Sequence, residues 1–272
     1  MAKQPKRRPR PPTVPPQAAA AGYNRKTFTS DFRNNWYLWS FFGGMSSPSH
    51  VTFNSDGSVT LQGDTTGPNG QIATGRMTST GFIGASFGGG AYFESTFMFY
   101  PQTVIDRNFQ GWPSFWSMAR EHLAQEPAQQ WPGQPPGYDH FIEADFFEYD
   151  TYPYNHWPNG YGACLHDYSG IYPNYMNNFS DPTAAAPQNV DFRQYHKYGM
   201  LWVPATLTKA GYAEFYFDDA KIGNRPTWTL IANPTPTNYS QFAIMDKQHL
   251  VMILGTGVGM PMTVKSVNVW QK

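Results

Sequence analysis

Glu143-Ala144-Asp145-Phe146-Phe147-Glu148 places three carboxylates in six residues, with His140-Phe141-Ile142 before them and Tyr149 after. Carboxylates are costly to bury and are rarely clustered in an apolar, aromatic pattern without a task. A strand that carries them must put one face on a core and the other where charge is tolerated. Alternation gives Glu143 and Asp145 the same face. Glu148, five residues beyond Glu143, points the other way in a regular strand. One extra residue at Phe146-Phe147, a β-bulge, returns Glu148 to the face of the other two. Paired carboxyl groups on one face are the working apparatus of glycoside hydrolysis. Without a bulge the run reads as a polar, solvated strand face with Phe146 or Phe147 buried behind it.

The rest of the chain supports strands. Its 272 residues hold 20 Phe, 17 Tyr and 9 Trp, with 25 Gly and 24 Pro as turn formers, and only 14% are charged. This composition suits a single large β-rich, loop-rich domain in which most aromatics are core. Residues 51–61 read as a hairpin turning at Asp56-Gly57. Further strands are expected over 91–100, 141–149, 199–203, 213–217, 249–254 and 262–270. One short helix is expected over 117–125. With no alternation of strands and helices, the pattern predicts an all-β, antiparallel β-sandwich. Residues 120–140 and 150–190, rich in Pro, Gly, Asn and Tyr, read as long loops of the kind that carry function.

The first 16 residues carry Lys3, Lys6, Arg7, Arg8 and Arg10, six prolines and no acid. Such a segment cannot bury enough apolar area to order itself. Residues 1–24 are therefore expected to form a disordered basic, Pro-rich tail, and 25–272 the folded domain. Residues 17–272 hold 14 basic and 19 acidic side chains, a formal charge of −5. The tail could meet an anionic surface or a nucleic acid, but it reads as a solvated extension, and no nucleic-acid partner is expected. The Pro-rich stretch from Pro11 to Pro16 stands where a secretory signal would have its apolar region. No apolar run approaches the ~18 residues of a membrane span. Cys164 is the single cysteine; it excludes an intrachain disulfide and reads as an inert buried thiol. No dinucleotide-binding or P-loop glycine pattern is present, and Gly88-Gly89-Gly90 reads as a flexible loop.

The acidic run resembles the signature of glycoside hydrolase family 16, Glu-x-Asp-x-x-Glu in its bulged form. The flanks agree in order. Gly111-Trp112-Pro113-Ser114-Phe115-Trp116 and Trp131-Pro132 resemble the family's upstream Trp-Pro segments. Gly75-Arg76-Met77-Thr78-Ser79 and Tyr92-Phe93-Glu94 are similar to strands leading to its cleft. Tyr195-His196-Lys197-Tyr198-Gly199-Met200-Leu201-Trp202 resembles its Phe-His-x-Tyr-x-x-x-Trp strand. Phe215-Tyr216-Phe217-Asp218-Asp219 resembles its Phe-Tyr-Val-Asp-Gly hairpin, and Thr263 to Gln271 its closing strand. The resemblance covers roughly residues 28–272. It departs at Ala144, usually a branched aliphatic, and at Asp219, usually Gly. Lys265 stands where many members have an Asp that helps hold a structural calcium on the convex face.

The resemblance implies a jelly roll with a concave substrate cleft and retaining, endo-acting hydrolysis of internal β-glycosidic bonds. The substrate would be a β-1,3- or β-1,3-1,4-glucan, a galactan or an exopolysaccharide. Glu143 would be the nucleophile and Glu148 the general acid and base, with Asp145 between them. A hydrogen bond from Asp145 to Glu143 and mutual repulsion raising the Glu148 pKa would separate their protonation. Trp112, Trp116 and Trp131 are candidate sugar platforms, Trp116 first. His166, Glu94 and Tyr149 are candidate substrate contacts, and Tyr152, Tyr154 and Trp157 follow along a subsite. His196 reads as structural. No cofactor is required by this chemistry, and the Lys265 departure removes a calcium ligand. The expected partner is a polysaccharide and the expected state a monomer. The activity implies an extracellular or cell-envelope location. A lectin-like module and a transglycosylase remain open on the same fold. A polysaccharide lyase is a third reading, but Arg193, Gln194, Tyr195 and His196 fit the hydrolase strand better.

Overall fold

Along Ala91–Phe99, Phe93, Phe97 and Phe99 enter a buried aromatic core, while Tyr92 and Glu94 emerge on the opposite face. This period-two pattern, repeated from strand to strand, builds two stacked antiparallel sheets with the core between them. A computed structural model describes residues 13–38, 46–63, 70–101, 111–124, 133–149, 160–180, 190–256 and 260–272.

The sheet that carries the acids runs, in spatial order, Asn174–Phe179, Gly162–Ile171, Tyr138–Glu148, Ser114–Ala119, His249–Thr256, Gly70–Ala73 and Tyr37–Leu38, with Phe87–Gly88 also on His249–Thr256. The opposite sheet runs Ala220–Ile222, Gly211–Phe217, His196–Val203, Ala91–Phe99, Met262–Gln271, Val59–Leu61 and Val51–Phe53. Arg25–Thr29 also pairs with Met262–Gln271, and Thr227–Trp228 with Gly211–Phe217. Gly75–Thr78 and Gly81–Gly84 form a separate hairpin whose Phe82 packs on the outer face of the acidic sheet. The sandwich and its antiparallel pairing are as the sequence predicts. The 51–61 hairpin turns at Gly57, whose φ of 87° suits glycine.

The sheets meet through rings. Phe146 stacks on Phe93 at 5.2 Å, and Phe147 meets Phe97 edge-on at 5.0 Å. Offset and edge-to-face pairs of this kind add to simple burial.

Several expectations change. Residues 117–119 belong to the strand Ser114–Ala119, and the helix shrinks to the single turn Arg120–Leu123, because Trp116 and Met118 are held by pairing with both neighbouring strands. Much of 150–190 is a hairpin, Gly162–Ile171 with Asn174–Phe179, rather than loop. The tail boundary at residue 24 is also too late. Pro16–Ala20 make a helical turn with Pro at its start, and Ala18 and Tyr23 are buried with Tyr92, Leu201, Tyr216 and Trp270 on the outer face of the opposite sheet. The Tyr23 hydroxyl donates to the Trp202 carbonyl at 2.9 Å. Residues 1–12 lie outside the described residues.

Gly88-Gly89-Gly90 is not a loose loop either. Gly88 lies in a strand, and a Cβ at Gly90 would come within 2.2 Å of the Tyr23 hydroxyl. The Asp218-Asp219 turn takes positive φ at both residues, 45° and 69°. Asp tolerates that conformation better than most side chains, so the turn survives without the family's Gly. Asp218 accepts from the Lys197 amide at 2.8 Å and meets His196 Nδ1 at 2.7 Å, so His196 braces this turn.

Candidate active site

The bulge lies where the acids require it. On Ser114–Ala119, Phe115 pairs with Phe147 and Trp116 with Asp145, so Phe146 has no residue opposite. On the other side, Asp145 pairs with Cys164 and Glu148 with Gly162, three residues against two. Ile142, Ala144, Phe146 and Phe147 all enter the core. Glu143, Asp145 and Glu148 share the opposite face because two consecutive phenylalanines turn inward. Both rings have core partners, which pins the extra residue in place.

Around the acids, the Trp112 indole N–H donates to Glu148 Oε1 at 2.9 Å. Asp145 Oδ2 lies 3.4 Å from Cys164 Sγ, whose thiol donates to it, and 3.2 Å from His166 Nε2. Sγ and Nε2 are themselves 3.3 Å apart. His166 Nδ1 faces the Asn177 amide, 3.2 Å from its oxygen. Asp145 is 1% exposed, and among the described residues its Oδ1 is buried without a hydrogen-bond partner.

These neighbours set the charges. Burial, then repulsion from Asp145, holds the Glu143 carboxyl well above the usual range, against a smaller pull from His166. Burial pulls His166 down, but the hydrogen bond and charge of Asp145, with Glu143 and Asn177, raise it overall. Protonated His166 can then donate from both nitrogens, to Asp145 and to the Asn177 oxygen. Burial first, then the nearby acids, push the Cys164 thiol up, so it stays neutral. The expected hydrogen bond from Asp145 to Glu143 is not made. Asp145 turns Oδ2 to Cys164 and His166 instead, and its repulsion falls on Glu143.

The other candidate residues divide. Trp112 is 40% exposed, with its indole N–H on Glu148. Trp116 lies on the acid face but is only 5% exposed, packed with Met118, Phe141 and Ile253, so its ring is a floor under the site rather than an open platform. His166 joins the acids. Tyr149 does not: it is buried against Phe99 and Phe192, because alternation resumes after Glu148 and sends the next residue inward. Glu94 is on the wrong sheet. It pairs with Gly199 and Asn268, lies within hydrogen-bond reach of the Tyr92 hydroxyl at 3.4 Å, and lines a cavity of about 300 Å³ near Thr13–Pro16. Trp131, Tyr152, Tyr154 and Trp157 lie outside the described residues.

Sequence reasoning missed Cys164, Asn177 and Phe179 as neighbours of the site. Phe179 is exposed, pairs with His166 in register, and its ring lies 6.0 Å from the imidazole. The spacing of Cys164 and His166, two apart on one strand, is the signal that could have joined the thiol to the acid face. Lys265 lies over the Tyr195 ring, 5.5 Å from its centroid. An ammonium offers calcium no oxygen, so this position does not fit the calcium of the resembling family.

No protein-family model and no curated protein matches the chain. Solved structures do. An endo-1,3-beta-glucanase from Streptomyces sioyaensis aligns with a TM-score of 0.54 and 19% identity, over 90% of this chain and 95% of that one. Beta-agarase A from Zobellia galactanivorans aligns with a TM-score of 0.53 and 16% identity, over 90% and 87%. The chain has their fold. It is the jelly-roll sandwich that the resemblance implies, and at these identities the likeness speaks for the fold alone. Among the described residues, no helix is long and apolar enough to cross a membrane.

Proposed function

We propose that this chain is a retaining, endo-acting glycoside hydrolase of a β-linked polysaccharide. A β-1,3- or mixed-linkage β-1,3-1,4-glucan is favoured, with a galactan or exopolysaccharide next. The observation that carries the reading is the bulge at Phe146, which brings Glu143, Asp145 and Glu148 to one face beside an exposed tryptophan. The fold is shared with an enzyme named for 1,3-β-glucan and another named for agar, so glucan and agar are among the first substrates to test.

In this reading Glu143 attacks the anomeric carbon and Glu148 protonates the departing oxygen. Glu148 then takes a proton from the water that releases the glycosyl-enzyme, so configuration is retained. The Trp112 N–H donates to Glu148 Oε1 and so helps to orient the carboxyl that would carry the proton. Glu143 must be ionised to attack, yet burial and Asp145 hold its proton. Its ionisation therefore sets the acid limb of the pH profile, above the range of an ordinary carboxylate. Asp145→Asn removes the repelling charge. It should move that limb to lower pH and cost less turnover than loss of either glutamate. A limb that stays put in this variant assigns it to another group.

Trp112→Phe keeps a ring and deletes the N–H; about a tenfold loss of kcat is expected. Trp112→Ala should raise KM as well, because the stacking face is gone. Equal KM in the two variants would remove the platform role. A polymeric substrate puts the work outside the cell or at its envelope, and one chain supplies all three acids.

The direct test is release of reducing ends from β-1,3-glucan, mixed-linkage glucan, agarose and a bacterial exopolysaccharide. Release of internal fragments with retained anomeric configuration is expected. Binding without release from any of them replaces the hydrolase with a lectin-like module.

A further inference from the structure

Asp145 Oδ2, Cys164 Sγ and His166 Nε2 form a nearly equilateral triangle with edges of 3.2, 3.3 and 3.4 Å. Among the described residues these three side chains form a group whose donor atoms converge closely enough to share one cation. From usual zinc bond lengths, about 2.3 Å to sulfur and 2.0–2.2 Å to nitrogen and oxygen, tetrahedral coordination needs edges of about 3.4 Å for N to O and 3.5–3.6 Å for the edges to sulfur. The triangle therefore already has the shape of one tetrahedral face, within about 0.3 Å on each edge. Two neighbouring strands hold it rigidly: Cys164 and His166 lie two apart on Gly162–Ile171, and Asp145 pairs directly with Cys164. Asp145 is 1% exposed and, among the described residues, its Oδ1 is buried without a hydrogen-bond partner, so its charge is only partly compensated and a cation at Oδ2 would offset it.

We propose that Asp145, Cys164 and His166 are a binding site for a single borderline-soft divalent cation of the zinc class. The donor set selects the ion: thiolate and imidazole favour zinc over calcium or magnesium, and the triangular face favours tetrahedral coordination. Binding releases the Cys164 thiol proton, and the second proton of His166 where it is held, to solvent. One carboxylate and one thiolate then balance the dication. The fourth position is left for water or another oxygen ligand. Asn177 orients the imidazole from its far nitrogen, as outer partners of metal-bound histidines do. Loading would neutralise the charge beside Glu143 and so couple glycan turnover to zinc. That consequence rests on the hydrolase reading, whereas the binding itself does not.

The test uses the full chain, with Zn²⁺ in titration calorimetry and Co²⁺ as a spectroscopic probe. One ion per chain is expected, with a thiolate-to-cobalt charge-transfer band. Because Cys164 is the only cysteine, that band reports this site and no other. Cys164→Ser and His166→Gln, each first shown to keep the wild-type circular dichroism, should bind at least about tenfold more weakly. Cobalt binding without the thiolate band in the wild type would overturn the proposal even if both variants misfold. So would the absence of binding, or zinc affinity unchanged in folded Cys164→Ser.

Discussion

Glu143→Gln is expected to lower kcat/KM on the polysaccharide by about 10⁴-fold or more, while glycan affinity stays close to wild type. The amide fills the same space and cannot attack the anomeric carbon. It also removes the group that burial and Asp145 strain toward its protonated form, so the fold should be no less stable. Glu148→Gln should fail in a different way. Its loss is expected to be severe on a polysaccharide but much smaller on an aryl glycoside, whose leaving group needs no proton. Azide separates the two roles further. In Glu143→Ala it should attack directly and give a product of inverted configuration. In Glu148→Ala it should intercept the glycosyl-enzyme and give a retained one. Substantial hydrolysis by Glu143→Gln, or the two azide products exchanged, would reverse or remove the assignments. Zinc binding at the neighbouring triad is measured separately and stands or falls on its own data.

Phe147→Ala is expected to destabilise the protein by about 3–5 kcal/mol, which for a chain of this size lowers Tm by roughly 10 °C. Phe147 is fully buried. Its ring lies 5.0 Å from Phe97, 5.5 Å from Phe99, 4.5 Å from Tyr161 and 4.6 Å from Tyr198. No one of these neighbours can move into the space without leaving the others. Phe147 is also one of the two inward residues that hold the bulge, and Glu148 is the next residue along. Activity should therefore fall more than the remaining folded fraction explains, through loss of the Glu148 position. Phe147→Leu keeps most of the volume and should be milder on both counts. Chemical unfolding measures the first effect and kcat at low temperature the second. A cost below about 1 kcal/mol would show that the ring does not anchor the sheets.

Much of this was legible because it is local. Alternation along Ala91–Phe99 and the apolar, β-forming runs within His196–Val203, Gly211–Phe217 and His249–Thr256 are written in consecutive residues, and so is the hairpin at Asp56-Gly57. The bulge could be read because two phenylalanines separate acids that otherwise alternate. Where the sequence misled, the missing information was non-local. Glu94 stands in a strand as apolar as the acidic one, and alternation says that it leaves the core without saying on which side of the sandwich. Pairing with residues 199 and 268, more than a hundred positions away, decides that. Tyr149 follows from the bulge only when its change of phase is carried one residue further.

The sequence by itself determined many of the core strands, the antiparallel sandwich and the spacing of the three acids, because period-two patterning and turn chemistry act between near neighbours. Only the tertiary structure decided which side chains join the acids. It closed Trp116 beneath its neighbours, left Trp112 open above Glu148, and brought the thiol of Cys164 and the imidazole of His166 to Asp145. The physical reason is that burial and electrostatic coupling depend on distances through space, and strand pairing sets those distances only when the whole sheet has formed.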